Sequence, residues 1–230
     1  MPRHPDRLIE RLAQPEAARL IAASGTAVVF AGSVEQHGGH LPLGTDTFAA
    51  ASIAERVAAR LDTVVASLGP VGVAHYHLGW PGTLSLRPAT MGAVLVDVCG
   101  GLGMAGAQRI VVVNWHEGNS PALRVAADEA QRSHGVQVLI AESHVITHTL
   151  FPDEMEFTHA GSMETAAVLA YDAALVKLEQ ATEPSERAAG GTARARLPRP
   201  PARSARWRSP AAPARRRRPA PRRSPSSLRG

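Results

Sequence analysis

Apolar and polar positions along the chain fall into two alternating patterns. Thr26–Ser33 (TAVVFAGS), Arg109–Asn114 (RIVVVN) and Val136–Ser143 (VQVLIAES) are short, almost continuously apolar runs, with a weaker one at Thr63–Gly72 (TVVASLGPVG). Such runs suit strands covered on both faces. Between them, Asp46–Leu61, Arg87–Gly106 and Ser120–His134 carry Ala, Val and Leu at helical spacing. Ser120 followed by Pro121 reads as an N-cap and a first helical position. Strand–helix alternation predicts an α/β domain with a largely parallel central sheet.

The pattern stops near residue 188. From Gly191 to Gly230 the chain holds 13 arginines, no lysine and no acidic residue, which leaves 12 basic against 20 acidic residues in 1–190. The net charge of +5 therefore hides an acidic body with a basic tail. The expected division is a domain over 1–188 and an Arg/Pro/Ala-rich tail over 189–230. The tail has almost nothing to bury and is expected to be disordered. Three readings of it stand: a solvated tail, an arm that neutralises nucleic-acid phosphates, or a stretch translated in the wrong frame of a GC-rich gene.

Composition narrows the classes further. The chain is 44% hydrophobic, enough for a core, and its 230 residues suit one domain. One cysteine, Cys99, excludes an internal disulfide and is expected in the core. No apolar run is long enough for a membrane span, and the start lacks the apolar stretch of a secretory signal. A reducing, cytoplasmic setting is the expectation.

Three polar stretches carry candidate chemistry. The first, Gly32–Thr47 (GSVEQHGGHLPLGTDT), follows the first strand, at the sheet end where open α/β folds place ligands. Glu35 and His37 share a side of an extended chain, and Asp46 stands at the expected start of a helix. Carboxylate and imidazole together suit zinc, manganese or iron. The second, Asn114–Ser120 (NWHEGNS), puts His116 and Glu117 at another strand end. The third, Thr158–Ala166 (THAGSMETA), offers His159 for proton transfer and Glu164 for a metal. Each has a plain alternative as a helix cap or first-turn carboxylate.

EQHGGHLPLGTDT, NWHEGN and HAGSMET resemble the three signature blocks of the creatininase family, and AHYHLGWPGTLSLRPAT (Ala74–Thr90) resembles its middle stretch. The resemblance covers roughly residues 26–175. It implies a three-layer α/β/α fold and a homo-oligomer, often a hexamer. It also implies a metal-dependent hydrolase that cleaves a carbon–nitrogen amide bond of a small molecule, cyclic or linear, with water activated between two divalent ions (Zn, Mn or Fe). One branch acts instead on a cyclic ketose. By motif, Glu35 and His116 would hold one metal, His37 the other, and Asp46 both. Creatininase itself has a Glu two places after the metal-binding His, where this chain has Gly118; members with glycine there use the Glu of the HAG block. That implies Glu164, rather than Glu117, as fifth ligand. His159 would serve the leaving group, and Tyr76, His77, Trp80 and Glu117 would line the substrate pocket. His40 would orient the site from behind.

Two departures stand out. The region after the HAG block is replaced by the basic tail, so the sheet is expected to expose apolar surface at an edge. NWHEGN also differs from the commoner N-G-H-G-G-N. Trp115 and Glu117 add bulk and charge, which points to a substrate other than creatinine. Ketose hydrolysis, an inactive truncated relative and, through the tail, a nucleic-acid binder are the competing readings.

Overall fold

The computed structural model describes residues 6–151 and 158–181. Four strands, β1 (Thr26–Ala31), β2 (Val65–Ser67), β3 (Arg109–Asn114) and β4 (Gln137–Glu142), form one sheet in the order β2-β1-β3-β4. Every pairing between these four strands is parallel. The boundary between tail and body expected at residue 188 lies outside the described residues.

Helices α1 (Gln14–Ser24), α2 (Thr45–Leu61), α3 (Pro88–Met104), α4 (Ser120–His134), α5 (Ser143–Leu150) and α6 (Ser162–Tyr171) surround it. The crossover from β1 to β2 runs one way along the sheet, and those to β3 and β4 run the other. Right-handed crossovers then put α2 on one face and α3 and α4 on the opposite face. Packing follows this rule. Ala27, Val29 and Ala31 of β1 join Leu20, Ile21, Leu95, Cys99 and Leu123 in one core. Val28 and Phe30, pointing the other way, join Ala50, Ala54 and Ala58 of α2 and Met163 of α6 in a second. The result is three layers, α/β/α, with β1 and β3 flanking the point where strand order reverses.

Several boundaries move for local reasons. β1 ends at Ala31 because Gly32 lies against the start of α2, where a Cβ would overlap the Thr47 backbone. The strand expected over Thr63–Gly72 shrinks to three residues, since Gly69 (φ 96°) and Pro70 turn the chain away. Ser120 is the first residue of α4 and not its cap. Asn119 precedes the helix, and the Ser120 hydroxyl donates to Glu142 at 2.8 Å. Helix α4 stops where Gly135 takes a left-handed φ of 67°, accessible at little cost only to glycine. Cys99 is fully buried, and burial pushes its thiol up to about 11, so it is inert core. At the β4 edge Leu139 is 65% exposed and forms an open groove with Leu61 and Val111. Among the described residues, no helix is long and apolar enough to cross a membrane.

Candidate metal centre

The chain leaving β1 folds back on itself: the Glu35 amide donates to the Leu43 carbonyl at 2.9 Å. This closed loop delivers Asp46, in the first turn of α2, to the carboxyl ends of β1 and β3. Glu35, His37, Asp46 and Glu164 are buried there together, with His116 close to buried. A group of Glu35, His37 and His159 could also hold a cation, while the five themselves fall into two clusters, Glu35/Asp46/His116 and His37/Asp46/Glu164, each with one atom per residue within 4.8 Å of the others. Asp46 belongs to both.

Asp46 divides its two oxygens between two imidazoles. Oδ1 is 3.2 Å from His37 Nε2, and Oδ2 is 3.1 Å from His116 Nδ1. The far nitrogen of each ring faces a carbonyl: His37 Nδ1 donates to Glu35 O at 3.0 Å, and His116 Nε2 donates to Val73 O at 3.0 Å. With those nitrogens carrying the hydrogens, the lone pair of each ring points at Asp46. Glu164 Oε2 adds a third acceptor 3.5 Å from His37 Nε2. Asp46 Oδ2 is buried with only the His116 ring to satisfy it. Lone pairs facing carboxylate oxygens in a buried space require a positive charge between them. A proton or a metal ion meets that requirement.

The electrostatics agree. Burial opposes charge on His37, but Asp46, Glu164 and the Glu35 carbonyl outweigh it and lift the ring to about 9. Burial likewise opposes charge on His116, and Asp46, Glu35 and the Val73 carbonyl lift it to about 9. Asp46 is held well below the usual carboxylate range, because the two imidazoles overcome its burial. Burial raises Glu164 to about 8, and burial also raises Glu35. His159, in contrast, is depressed to about 4 by burial and by the neighbouring His37 and His77.

A family model whose description is creatinine amidohydrolase matches residues 10–219. The chain belongs to the creatininase family. It is 43% identical over 101 residues to a mycofactocin precursor peptide peptidase of Mycolicibacterium smegmatis, a match that spans 41% of this chain and only 40% of that relative. It is 30% identical over 183 residues to the protein of the same name from Mycobacterium tuberculosis, covering 75% of this chain and 69% of the relative. Among solved structures, a mutant creatininase of Zn-Zn type superposes with a TM-score of 0.64 at 26% identity, over 76% of each chain.

Other members of the site divide into near and far. Both His77 Nε2 and His159 Nδ1 approach Glu35 Oε1, at 3.8 and 3.6 Å. The two rings stack with centroids 4.6 Å apart, and Trp80 lies 5.6 Å from His77. Tyr76 is 74% exposed and Glu117 is exposed, so neither enters the buried cluster. His40 sits behind it, with Nε2 3.1 Å from the Thr165 hydroxyl on the helix that carries Glu164. Ala160 adopts a left-handed φ of 55°, uncommon for a residue with a Cβ, and its amide donates to Glu164 Oε2 at 2.6 Å.

Sequence reasoning missed Gln36. Its carbonyl is 2.6 Å from His159 Nε2, and its side-chain amide reaches His159 Nε2 and His77 Nδ1 at 2.8 and 3.2 Å. It also missed the Val73 carbonyl, which no side-chain pattern could reveal. Gly118 is required by space: a Cβ there would overlap Val73 O and come within 2.5 Å of His116 Nε2. Gly118→Ala is expected to destabilise the fold by about 1–3 kcal/mol and to displace His116. Thermal unfolding and metal content check both effects; an unchanged variant would show that the loop yields freely.

Proposed function

We propose that this chain is a dinuclear metal-dependent amidohydrolase that cleaves a C–N amide bond. The observation that carries the reading is the sharing of Asp46 between two buried ligand clusters, each pairing its carboxylate with an imidazole lone pair. The donor set fits: Glu35, Asp46 and His116 would hold one divalent cation, and His37, Asp46 and Glu164 the other. Oxygen and imidazole donors of this kind suit zinc and manganese. Bound there, the cation pair supplies Lewis acidity at a carbonyl and a nucleophile drawn from water.

The chain's own residues do the rest. Of the two Gln36 contacts at His159 Nε2, the shorter is with the backbone carbonyl, at 2.6 Å against 2.8 Å for the side-chain nitrogen, and a hydrogen donated there leaves Nδ1 basic. With its pKa depressed to about 4, His159 is neutral near pH 7 and can take a proton at Nδ1 and deliver it to a leaving nitrogen. The Gln36 carbonyl and the stacked His77 hold that ring in place. In this reading His77 and Trp80 would line the substrate pocket beside His159, and exposed Tyr76 and Leu78 would stand at its rim. An open apolar rim suits a substrate longer than a small ring. Together with the two relatives named as peptidases, it favours a linear peptide amide.

The test is to purify the chain, load it with zinc or manganese, count metal per protomer by elemental mass spectrometry, and offer short peptides, cyclic amides and cyclic ketoses. About two ions per chain and a product showing hydrolysis of a C–N bond are expected. Absence of metal in a folded sample, or turnover of the ketoses alone, would overturn the proposal.

A further inference from the structure

Behind the His116 loop lies a second buried polar cluster, outside the chemistry proposed above. Glu142, the last residue of β4, is the register partner of Asn114, the last of β3, so their side chains meet on one face of the sheet. Glu142 is 7% exposed. Its Oε2 accepts from Asn114 Nδ2 and from the Ser120 hydroxyl, both at 2.8 Å, and Oε1 accepts from Arg124 at 3.2 Å.

The carboxylate decides which way Asn114 faces. It can only accept, so the amide nitrogen of Asn114 must turn towards it. Asn114 Oδ1 is thereby aimed at the loop, where it accepts from the His116 backbone N–H and from Asn119 Nδ2, both at 3.3 Å. Asn119 continues the chain: its Oδ1 accepts from Val73 N at 2.8 Å and its Nδ2 donates to Gly32 O at 2.9 Å. Val73 O in turn holds His116 Nε2. The network thus grips His116 at both ends, backbone and ring, and contacts neither His37 nor Glu164.

We infer that Glu142 is a positioning residue for one half of the metal centre, acting through Asn114 to hold His116 in its ligating orientation. The inference rests on the two-cation reading above. A plainer role is also available to Glu142, since a carboxylate beside Ser120 stabilises the amino end of α4. That role affects the fold as a whole and not one cation in particular, which gives the test its contrast.

Zinc titrations against a competing chelator, with the full chain, separate the two. In the wild type two binding steps are expected. Glu142→Ala should weaken one step by about 10- to 100-fold, the range for loss of an outer partner of a metal ligand, and leave the other within about twofold. Glu142→Gln keeps the shape and an oxygen for Asn114, and should weaken the same step by only about threefold; it carries the test should the alanine variant fail to fold. In a His116→Ala background Glu142→Ala should change nothing further, whereas in a His37→Ala background it should still cost its full factor. Equal weakening of both steps, or an undiminished effect in the His116→Ala background, would overturn the inference while leaving the two-cation reading intact. A wild-type chain that binds no zinc would overturn both.

Discussion

Asp46→Ala is expected to purify without stoichiometric metal and to lose hydrolytic activity by at least about 100-fold. Even outer partners of metal ligands cost 10–100-fold when removed, and Asp46 lies inside both ligand clusters. Its two oxygens face one imidazole each, at 3.2 and 3.1 Å, so one substitution removes a donor from both halves of the centre. The fold should persist. Asp46 contributes nothing to the apolar face of α2, where Ala50, Ala54 and Ala58 pack under the sheet. The imidazoles lose the main carboxylate that raises them and are expected to become neutral, so no uncompensated charge is left behind. Elemental analysis and a cooperative melting curve on the same sample check both halves of this expectation. Two full metal ions per chain in a folded Asp46→Ala protein would refute the shared-ligand arrangement.

Much of this was legible in the chain. Parallel strands buried on both faces need unbroken apolar runs, and TAVVFA and RIVVVN provide them. The helices after β1, β2 and β3 were equally plain, because Ala-rich segments at helical spacing have one face to bury. Helices α1, α5 and α6 were less so: their short segments lie outside the strand–crossover rhythm that made the others readable. Glu35, His37, Asp46, His116 and Glu164 could be nominated from three polar blocks, and the structure brings those five together. Their arrangement could not be read. Which ring nitrogen faces Asp46 depends on two backbone carbonyls, Glu35 O and Val73 O, and backbone atoms leave no side-chain signature. Glu142 was invisible for a different reason. It ends an edge strand as an ordinary polar residue and gains its role only through its register with Asn114. The exposure of Glu117, on the turn before α4, and the depth of Glu164, in the first turn of α6, likewise depend on tertiary packing, although the motif resemblance had favoured Glu164.

Acidity should act on the metal-depleted and metal-loaded protein in opposite senses. In chelator, stability is expected to fall as pH rises from about 6.5 to 9. His37 and His116 have folded-state values near 9, above the ordinary 6.5, so the folded chain binds more protons than the unfolded one across that window. Stability must then decline with rising pH. Glu164, raised to about 8, acts in the same direction from about pH 4.5 upward, since burying its charged form is costly. Asp46, held low, contributes stability that is lost only in strong acid and does not offset the trend. With several buried groups acting together, a fall in melting temperature on the order of 10 °C across the window is expected. Metal reverses the sign. A cation must displace the protons on His37 and His116, so each displaced proton weakens loading up to tenfold per unit of falling pH. The loaded protein should therefore gain most over the depleted one near pH 9 and least near pH 6. Melting curves with chelator and with saturating zinc, taken at half-unit steps of pH, measure both trends. Parallel curves would show that the imidazoles bear neither protons nor metal in the way their geometry requires.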